Sequence, residues 1–477
     1  MEAILDIIFS VNDKVNAFVW GTPMLLFFLF VGIMFTVRIK FFQVTGFKEW
    51  MSKTILSCFK KDEVRKTKDK NSISQWQALT TALASTSGTG NIAGVATAIV
   101  AGGPGAIFWM WVSAFFGMMT HYAEVTLGLH YRYKDKNGTY FGGPMVYMEK
   151  GLKSKLLASL FALFCILATL GIGNMSQSNS MADAVYHTFG ISKLAVGTVT
   201  SILVVLVIFG GVKRIASVSE KVVPFMSVLY ILGAIAVIIV HYYNVPAAVM
   251  SIFKEAFNFK AAGGGILGYG ITLAMKKGIS RGVFSNEAGL GSSVIIHAAS
   301  DTKEPVVQGM WGIFEVFVDT IVVCTITAVT ILCSGVYEQS VYLTSMGIDK
   351  INGNTALFDA LPNGVTLTSM AFSTTFGNAG NIFVTLSIIL FAFATLIGWS
   401  YYGEKGCEYL FGPNSINIYK IIYCIFIIIG AVSRLEFVWN ISDTFNGLMA
   451  IPNLIAITLL SGKVVRLSKD YFGKMKK

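Results

Sequence analysis

Apolar runs of about twenty residues, separated by short basic or polar loops, recur along the chain from Val15 to just before Lys463. Each is close to the roughly 20 residues an α-helix needs to cross a bilayer. The pattern predicts about eleven spans, at 15–37, 74–101, 106–129, 154–175 (helical to about 188), 193–210, 218–241, 263–297, 307–333, 382–402, 417–433 and 438–461. Two of them are interrupted. Span 74–101 contains Ala84-Ser85-Thr86-Ser87-Gly88-Thr89-Gly90-Asn91, two glycines and four hydroxyls in eight positions. Lipid supplies no water for freed backbone groups, so such a break persists only buried in protein or lining a cavity. Span 263–297 is punctuated by Gly268, Gly270, Gly278, Gly282, Gly289 and Gly291 and is expected to break near Gly278.

With the first span set aside, ten remain, and each group of five opens on a broken one. Five is odd, so the halves have opposite topology. Matching broken spans at the head of two such halves point to an inverted-repeat transporter with its site at the repeat interface. Isolated glycines such as Gly102 and Gly117 are instead close-packing positions between helices. The fold class is therefore an all-α polytopic membrane protein. Its parts are 1–72 (an extra helix and a basic loop), 73–242 (first repeat), 243–262 (external connector), 263–462 (second repeat) and 463–477 (basic tail).

Composition agrees with a single membrane domain. The chain is 54% hydrophobic and 13% charged, with mean hydropathy +0.65; soluble proteins carry about 25% charged residues. Charge then sets orientation. Of the formal +11, Arg38–Asn71 holds a net +6, ten Lys/Arg against four acids. Arg132–Lys155, Lys213–Lys221 and Lys463–Lys477 are basic too, whereas Ser334–Asn381 has one base, Lys350. Positive loops stay cytoplasmic, so eleven crossings put the N-terminus outside and the C-terminus inside a cell membrane. The partners of such a surface are membrane lipids, and the basic excess reads as topology rather than nucleic-acid binding. Met1–Lys14 carries Glu2, Asp6 and Asp13, and the following span runs into Arg38 and Lys40, so it reads as a retained helix rather than a cleaved signal. The six cysteines show no metal spacing. The five histidines, at 121, 130, 187, 241 and 297, show no H-x-x-x-H, which weighs against a membrane hydrolase. A channel would need a continuous polar stripe rather than two local breaks. A sensor that binds without transporting stays open.

Five stretches carry a family resemblance. Gly282-Val283-Phe284-Ser285-Asn286-Glu287-Ala288-Gly289-Leu290-Gly291-Ser292 resembles the signature of the alanine/glycine:cation symporter family. In the same order, Ser87–Val95, Gly171–Met175 with Gln177, Gly398–Lys405 and Asp443–Pro452 are similar to that family, so the likeness covers nearly the whole chain. It implies a LeuT-type core of two inverted five-helix repeats preceded by one extra helix. It also implies import of small neutral amino acids, alanine or glycine, coupled to sodium or, alternatively, to protons, with no organic cofactor.

The residues can be read physically alongside that likeness. Where the first broken span resumes, the amides of Thr89 and Gly90 open a helix whose N-terminus carries about half a positive charge. They suit a substrate carboxylate, and the Thr89 hydroxyl can add a hydrogen bond. The free carbonyls of Ala84 and Ser87 are hard oxygen ligands; with the Thr395 hydroxyl, assigned through the resemblance, they form the expected sodium site. Thr395 could instead bond back to its own helix. Trp399, one turn on, either covers the substrate side chain or belongs to an interfacial belt. Asn174 and Gln177 either accept from the substrate ammonium or bridge helices. Gly278, at the second expected break, completes the substrate set. Arg281, Glu287 and Asp319 read as gating or structural residues: Glu287 pairs with Arg281 or another inner-loop base, and Asp319 is either a paired structural acid or an ion group; Glu315 is equally open. His121 and Glu124 read as lid or packing elements. Sodium rather than proton coupling is expected because spans 193–210 and 218–241 hold no central lysine.

Overall fold

The computed structural model describes residues 2–60, 62–67, 69–135, 138–257, 269–341, 362–433 and 435–475. Among these residues it is built from helices, with one pair of two-residue strands, Tyr133–Lys134 against Tyr140–Phe141. Among the described residues the helices of nine residues or more are α1 (Glu2–Val19), α2 (Thr22–Arg38), α3 (Gln75–Thr86), α4 (Ala93–Gly102), α5 (Gly105–Tyr131), α6 (Lys155–Leu170), α7 (Ser176–Phe189), α8 (Lys193–Ile208) and α9 (Gly211–Val240). There follow α10 (Val245–Ala256), α11 (Tyr269–Asn286), α12 (Pro305–Val316), α13 (Thr325–Cys333), α14 (Val365–Phe376), α15 (Asn378–Phe411), α16 (Ser415–Val432), α17 (Leu435–Leu459) and α18 (Ser461–Met475). Gly268 and Lys350 lie outside the described residues, as does part of the 243–262 connector; the rest of that connector holds α10.

Among the described residues six continuous helices are long and apolar enough to cross a membrane, or seven if the pair Ser442–Leu459 and Ser461–Lys474, bent by 58°, is one span. The six are Ser10–Arg38, Lys155–Phe189, Gly211–Val240, Pro305–Cys333, Asn378–Phe411 and Ser415–Val432. The predicted spans missing from that set have physical reasons. The first broken span is divided between α3 and α4, each too short alone. Helix α5 is 27 residues long but buries polar His121 and Glu124. Outward-facing apolar side chains such as Leu206, Leu232, Ile239 and Ile418 are exposed, as a lipid-facing surface requires.

The basic segments meet at one end. Arg65 and Lys66 line one pocket with Lys213 and Lys221. Lys134 pairs with Asp69 at 3.0 Å, and Arg38 donates to Ser461, beside the tail, at 2.5 Å. At this end the two broken spans are also stitched together: Ile73, ahead of α3, pairs with Ser300 in a parallel bridge. The neighbouring Ser74 caps α3, accepting from the Gln77 amide at 3.1 Å while the Gln77 side chain accepts from the Ser74 amide at 3.1 Å.

Candidate functional site

Helix α3 ends at Ser87, whose φ −80°, ψ 71° leaves the helical region, and a 3₁₀ turn at Thr89–Asn91 precedes α4. Gly88 is required by close approach. A Cβ there would sit 2.6 Å from the Thr395 hydroxyl and 3.1 Å from Gln177 Oε1. The unwound chain thus threads between α15 and α7. On one side, the Thr395 hydroxyl lies 2.9 Å from the Ala84 carbonyl and 3.0 Å from that of Phe391. The back-bond to Phe391 is thus present, and the same hydroxyl also bridges to the Ala84 carbonyl of the broken helix. On the other side, Gln177 Oε1 accepts from the Thr89 amide at 3.2 Å and the Thr89 hydroxyl at 3.0 Å.

Beside the break is a tight cavity with room for about one water molecule, lined by Ser85, Thr86, Gly88, Gly90, Ile172, Gln177, Phe284, Glu287 and Trp399. Trp399 is buried, lines this cavity and donates its indole N–H to the Ser85 carbonyl at 3.2 Å. It is not part of a lipid-facing belt. Gly173 admits it: a Cβ at that position would meet Trp399 Cβ at 2.5 Å. Gly173 lies in a π-helical turn, Gly171–Met175, between α6 and α7, a feature frequent at functional sites. Asn174, in the same turn, is directed elsewhere. Its amide donates to the Tyr423 carbonyl at 2.7 Å, an interhelical bond, so of the two carboxamides only Gln177 reaches the break.

The second break is not at Gly278. Helix α11 runs unbroken from Tyr269 to Asn286, and Gly278 packs within it: a Cβ there would overlap the Ala106 carbonyl and lie 2.7 Å from Trp109 Cβ. This glycine serves helix contact, so it is removed from the substrate set. The chain leaves the helix eight residues later. Asn286 Oδ1 accepts from the Ala288 amide at 3.0 Å, and Glu287 is left-handed at φ 56°. A non-glycine residue there is uncommon and marks a held backbone. Nor do Arg281 and Glu287 pair. The helix ends at Asn286, and the left-handed turn at Glu287 carries its side chain away from the helix surface that holds Arg281. Arg281 reaches Asp443 of α17 at 3.3 Å, while Glu287 accepts from Ser292 and lines the cavity. Glu287 thus belongs beside Gly88 and Gly90 rather than at a separate gate.

Asp319 is fully buried against the first break. It accepts from Asn91 at 2.7 Å, Ser285 at 2.7 Å and Thr320 at 3.0 Å, and the Ser87 hydroxyl lies at 3.4 Å. Among the described residues no Lys or Arg pairs with it, so four neutral groups solvate this acid. Phe284, Ser285 and Asn91 were not singled out in the sequence, although Phe284 and Ser285 fall inside the Gly282–Ser292 signature and Asn91 closes the first break. Histidines distant in sequence also converge: His121 and His297 both reach Glu315.

A model of the sodium:alanine symporter family matches residues 5–477, almost the whole chain. The chain belongs to that family. It is accordingly a sodium-coupled amino-acid transporter and not an enzyme. This member is similar to the sodium/alanine symporter AgcS of Methanococcus maripaludis, at 45% identity over 97% of each chain. It is also similar to the probable sodium/glutamine symporter GlnT of Bacillus subtilis, at 39% identity over 99% of this chain and 91% of that one. Among solved structures, MhsT in complex with L-phenylalanine superposes with a TM-score of 0.57 at 13% identity, covering 84% of this chain and 93% of that one. That likeness establishes a shared, LeuT-type fold.

Proposed function

We propose that this symporter takes alanine or glycine at the cavity between its two helix breaks, which opens beyond its one-water volume to admit the substrate, and couples the movement to one sodium ion held by Ala84, Ser87 and Thr395. The observation that carries the reading is the 2.9 Å approach of the Thr395 hydroxyl to the Ala84 carbonyl, directly beside the unwound Ser87–Asn91 segment. Carbonyl and hydroxyl oxygens gathered at a helix break suit a small hard cation. The substrate carboxylate meets the amides of Gly90 and Thr89, the latter released from Gln177 Oε1, which holds it at 3.2 Å, as that oxygen and the Glu287 carboxylate turn to the substrate ammonium. Trp399 caps the side chain.

The eleven crossings, the two inverted five-helix repeats and an outside N-terminus with a cytoplasmic C-terminus complete the proposal. The gathering of Arg65, Lys66, Lys213 and Lys221 around one pocket supports one cytoplasmic face. The driving force suffices. One sodium ion descending a tenfold gradient releases about 1.4 kcal/mol, and a 100 mV potential adds about 2.3 kcal/mol. Together they sustain roughly 500-fold accumulation of a neutral substrate.

The test is substrate size. A methylene accepted or refused by an apolar pocket is worth about 1–3 kcal/mol. Competition of labelled alanine uptake by unlabelled glycine, serine, valine, leucine and glutamine is expected to rank the small residues first by tenfold or more. Trp399→Ala should weaken alanine and relatively improve valine and leucine. An unchanged order in a folded variant would remove Trp399 from the substrate site.

A further inference from the structure

A second polar centre lies away from the cavity, among residues the transport reading does not use. His121 of α5, His297 of the short turn Val294–His297 and Glu315 of α12 are all fully buried. Glu315 Oε2 lies 3.1 Å from His121 Nε2 and 2.7 Å from His297 Nε2, and the three atoms are all within 4.8 Å of one another. The other nitrogen of each ring is held from outside. His121 Nδ1 is 2.8 Å from Glu124 Oε2, and Asn453 fixes Glu124 in turn. His297 Nδ1 is 2.8 Å from the Gln308 carboxamide, which is held by the Thr302 hydroxyl at 2.8 Å.

We propose that His121, His297 and Glu315 bind one divalent transition-metal ion of the zinc class, separate from the coupling sodium. Three observations meet here. The first is lone-pair direction. Glu124 accepts a hydrogen bond from the His121 Nδ1–H, which leaves the Nε2 lone pair facing Glu315 and the Ser293 hydroxyl. A half-turn of the Gln308 amide, to which the Thr302 hydroxyl adapts as donor or acceptor, lets it accept from His297 Nδ1 and bares that Nε2 as well. Two imidazole lone pairs and a carboxylate oxygen then face one point. Rings fixed through their far nitrogen by a carboxylate or amide are the usual outer support of histidine metal ligands.

The second observation is charge. Glu124 and Glu315 bring two negative charges into a dry site, and among the described residues no Lys or Arg pairs with either. With both imidazoles neutral, one divalent ion balances them; buried charge without such compensation is costly. The third is a spare ligand. Glu315 Oε1 is buried with no hydrogen-bond partner, free to bind in a bidentate mode, and the Ser293 hydroxyl is 2.9 Å from His121 Nε2. A tetrahedral zinc ion separates its ligands by about 3.4 Å, so the 3.1 and 2.7 Å spans from Glu315 need to open by less than about 1 Å, while the two imidazole nitrogens, within 4.8 Å of each other, need to close by at most about 1.4 Å. Sodium, a hard ion, gains little from imidazole nitrogen, whereas zinc favours it. Bound there, the ion would tie α5, α12 and the 294–297 turn together.

The experiment uses full-length protein in detergent, purified through a histidine-free tag, exposed to zinc, desalted and measured by elemental analysis. About one zinc per chain is expected, with visible d–d bands of tetrahedral cobalt(II) after exchange. His297→Gln and Glu315→Gln should each retain less than about a tenth of that metal, while His187→Gln, at an exposed histidine, should retain all of it. Zinc X-ray absorption on the wild-type protein needs no variant and should count two imidazoles around the ion. Wild-type protein that retains no zinc, a zinc shell without imidazole, or equal retention in the 297 and 315 variants would each overturn the proposal. Imidazoles of a metal-free wild-type cluster that titrate with pH would assign the site to protons instead.

Discussion

Thr395→Ala is expected to raise the sodium concentration for half-maximal alanine uptake by about 10- to 150-fold, with alanine transport recovered at saturating sodium. The size follows from the contact. A hydrogen-bonding group facing a charge is worth about 1.5–3 kcal/mol, and Thr395 brings its only hydroxyl within 2.9 Å of the Ala84 carbonyl. The same hydroxyl bonds back to Phe391 at 3.0 Å, so a loss of helix stability needs separating from a loss of ion binding. Thr395→Ser does this, because it keeps the oxygen and should keep sodium affinity within a few-fold. Sodium-titrated uptake in proteoliposomes measures both. If Ala and Ser variants share wild-type sodium dependence, Thr395 is not a ligand.

Gly90→Val is expected to abolish alanine binding, a loss of at least 100-fold. A Cβ at Gly90 would stand 3.4 Å from Phe284 Cδ1, an ordinary contact, but the branched methyls of valine have nowhere to go except the Phe284 ring or a cavity that holds about one water. Overpacking of this kind costs about 1–3 kcal/mol in itself, and the branched side chain also covers the amide that the carboxylate must approach. Gly90→Ala separates the two effects: its Cβ fits, so the protein should fold normally while alanine binding weakens about tenfold, the loss of roughly one hydrogen bond. Calorimetry or scintillation proximity binding of labelled alanine reads the series. Wild-type affinity in Gly90→Val would remove the first break from the substrate site.

The sequence made some of this architecture legible and hid the rest for identifiable reasons. The break at Ala84–Asn91 was visible because glycines and hydroxyls stood out within an apolar run, and the structure unwinds there, at Ser87–Asn91. The second break was misplaced at Gly278 because composition cannot tell a glycine that permits helix packing from one that ends a helix. The better signal was Asn286 followed by Gly289 and Gly291, turn chemistry that the structure uses with Gly289 at φ 96° and Gly291 at φ 79°. Asn174 and Gln177 had equal standing as polar residues in a membrane helix; the π-helical turn at Gly171–Met175 rotates one toward α16 and the other toward the break. Arg281 and Glu287 are close in sequence, but the helix ends between them at Asn286, so Arg281 stays against Asp443 while Glu287 turns into the cavity. The contact of His121 and His297 with Glu315 could not be read at all, since it depends on how three separate elements pack.

The measurement that tests the central claim most directly is radiolabelled alanine uptake by wild-type protein in proteoliposomes, with inward gradients of Na⁺, Li⁺, K⁺ or H⁺ imposed in turn. Uptake is predicted with the sodium gradient, increased by an inside-negative potential because a neutral substrate travels with a cation, and absent with potassium or with a pH gradient alone. Uptake that runs equally well on a pH gradient without sodium would contradict the account and return Ala84, Ser87 and Thr395 to a structural role.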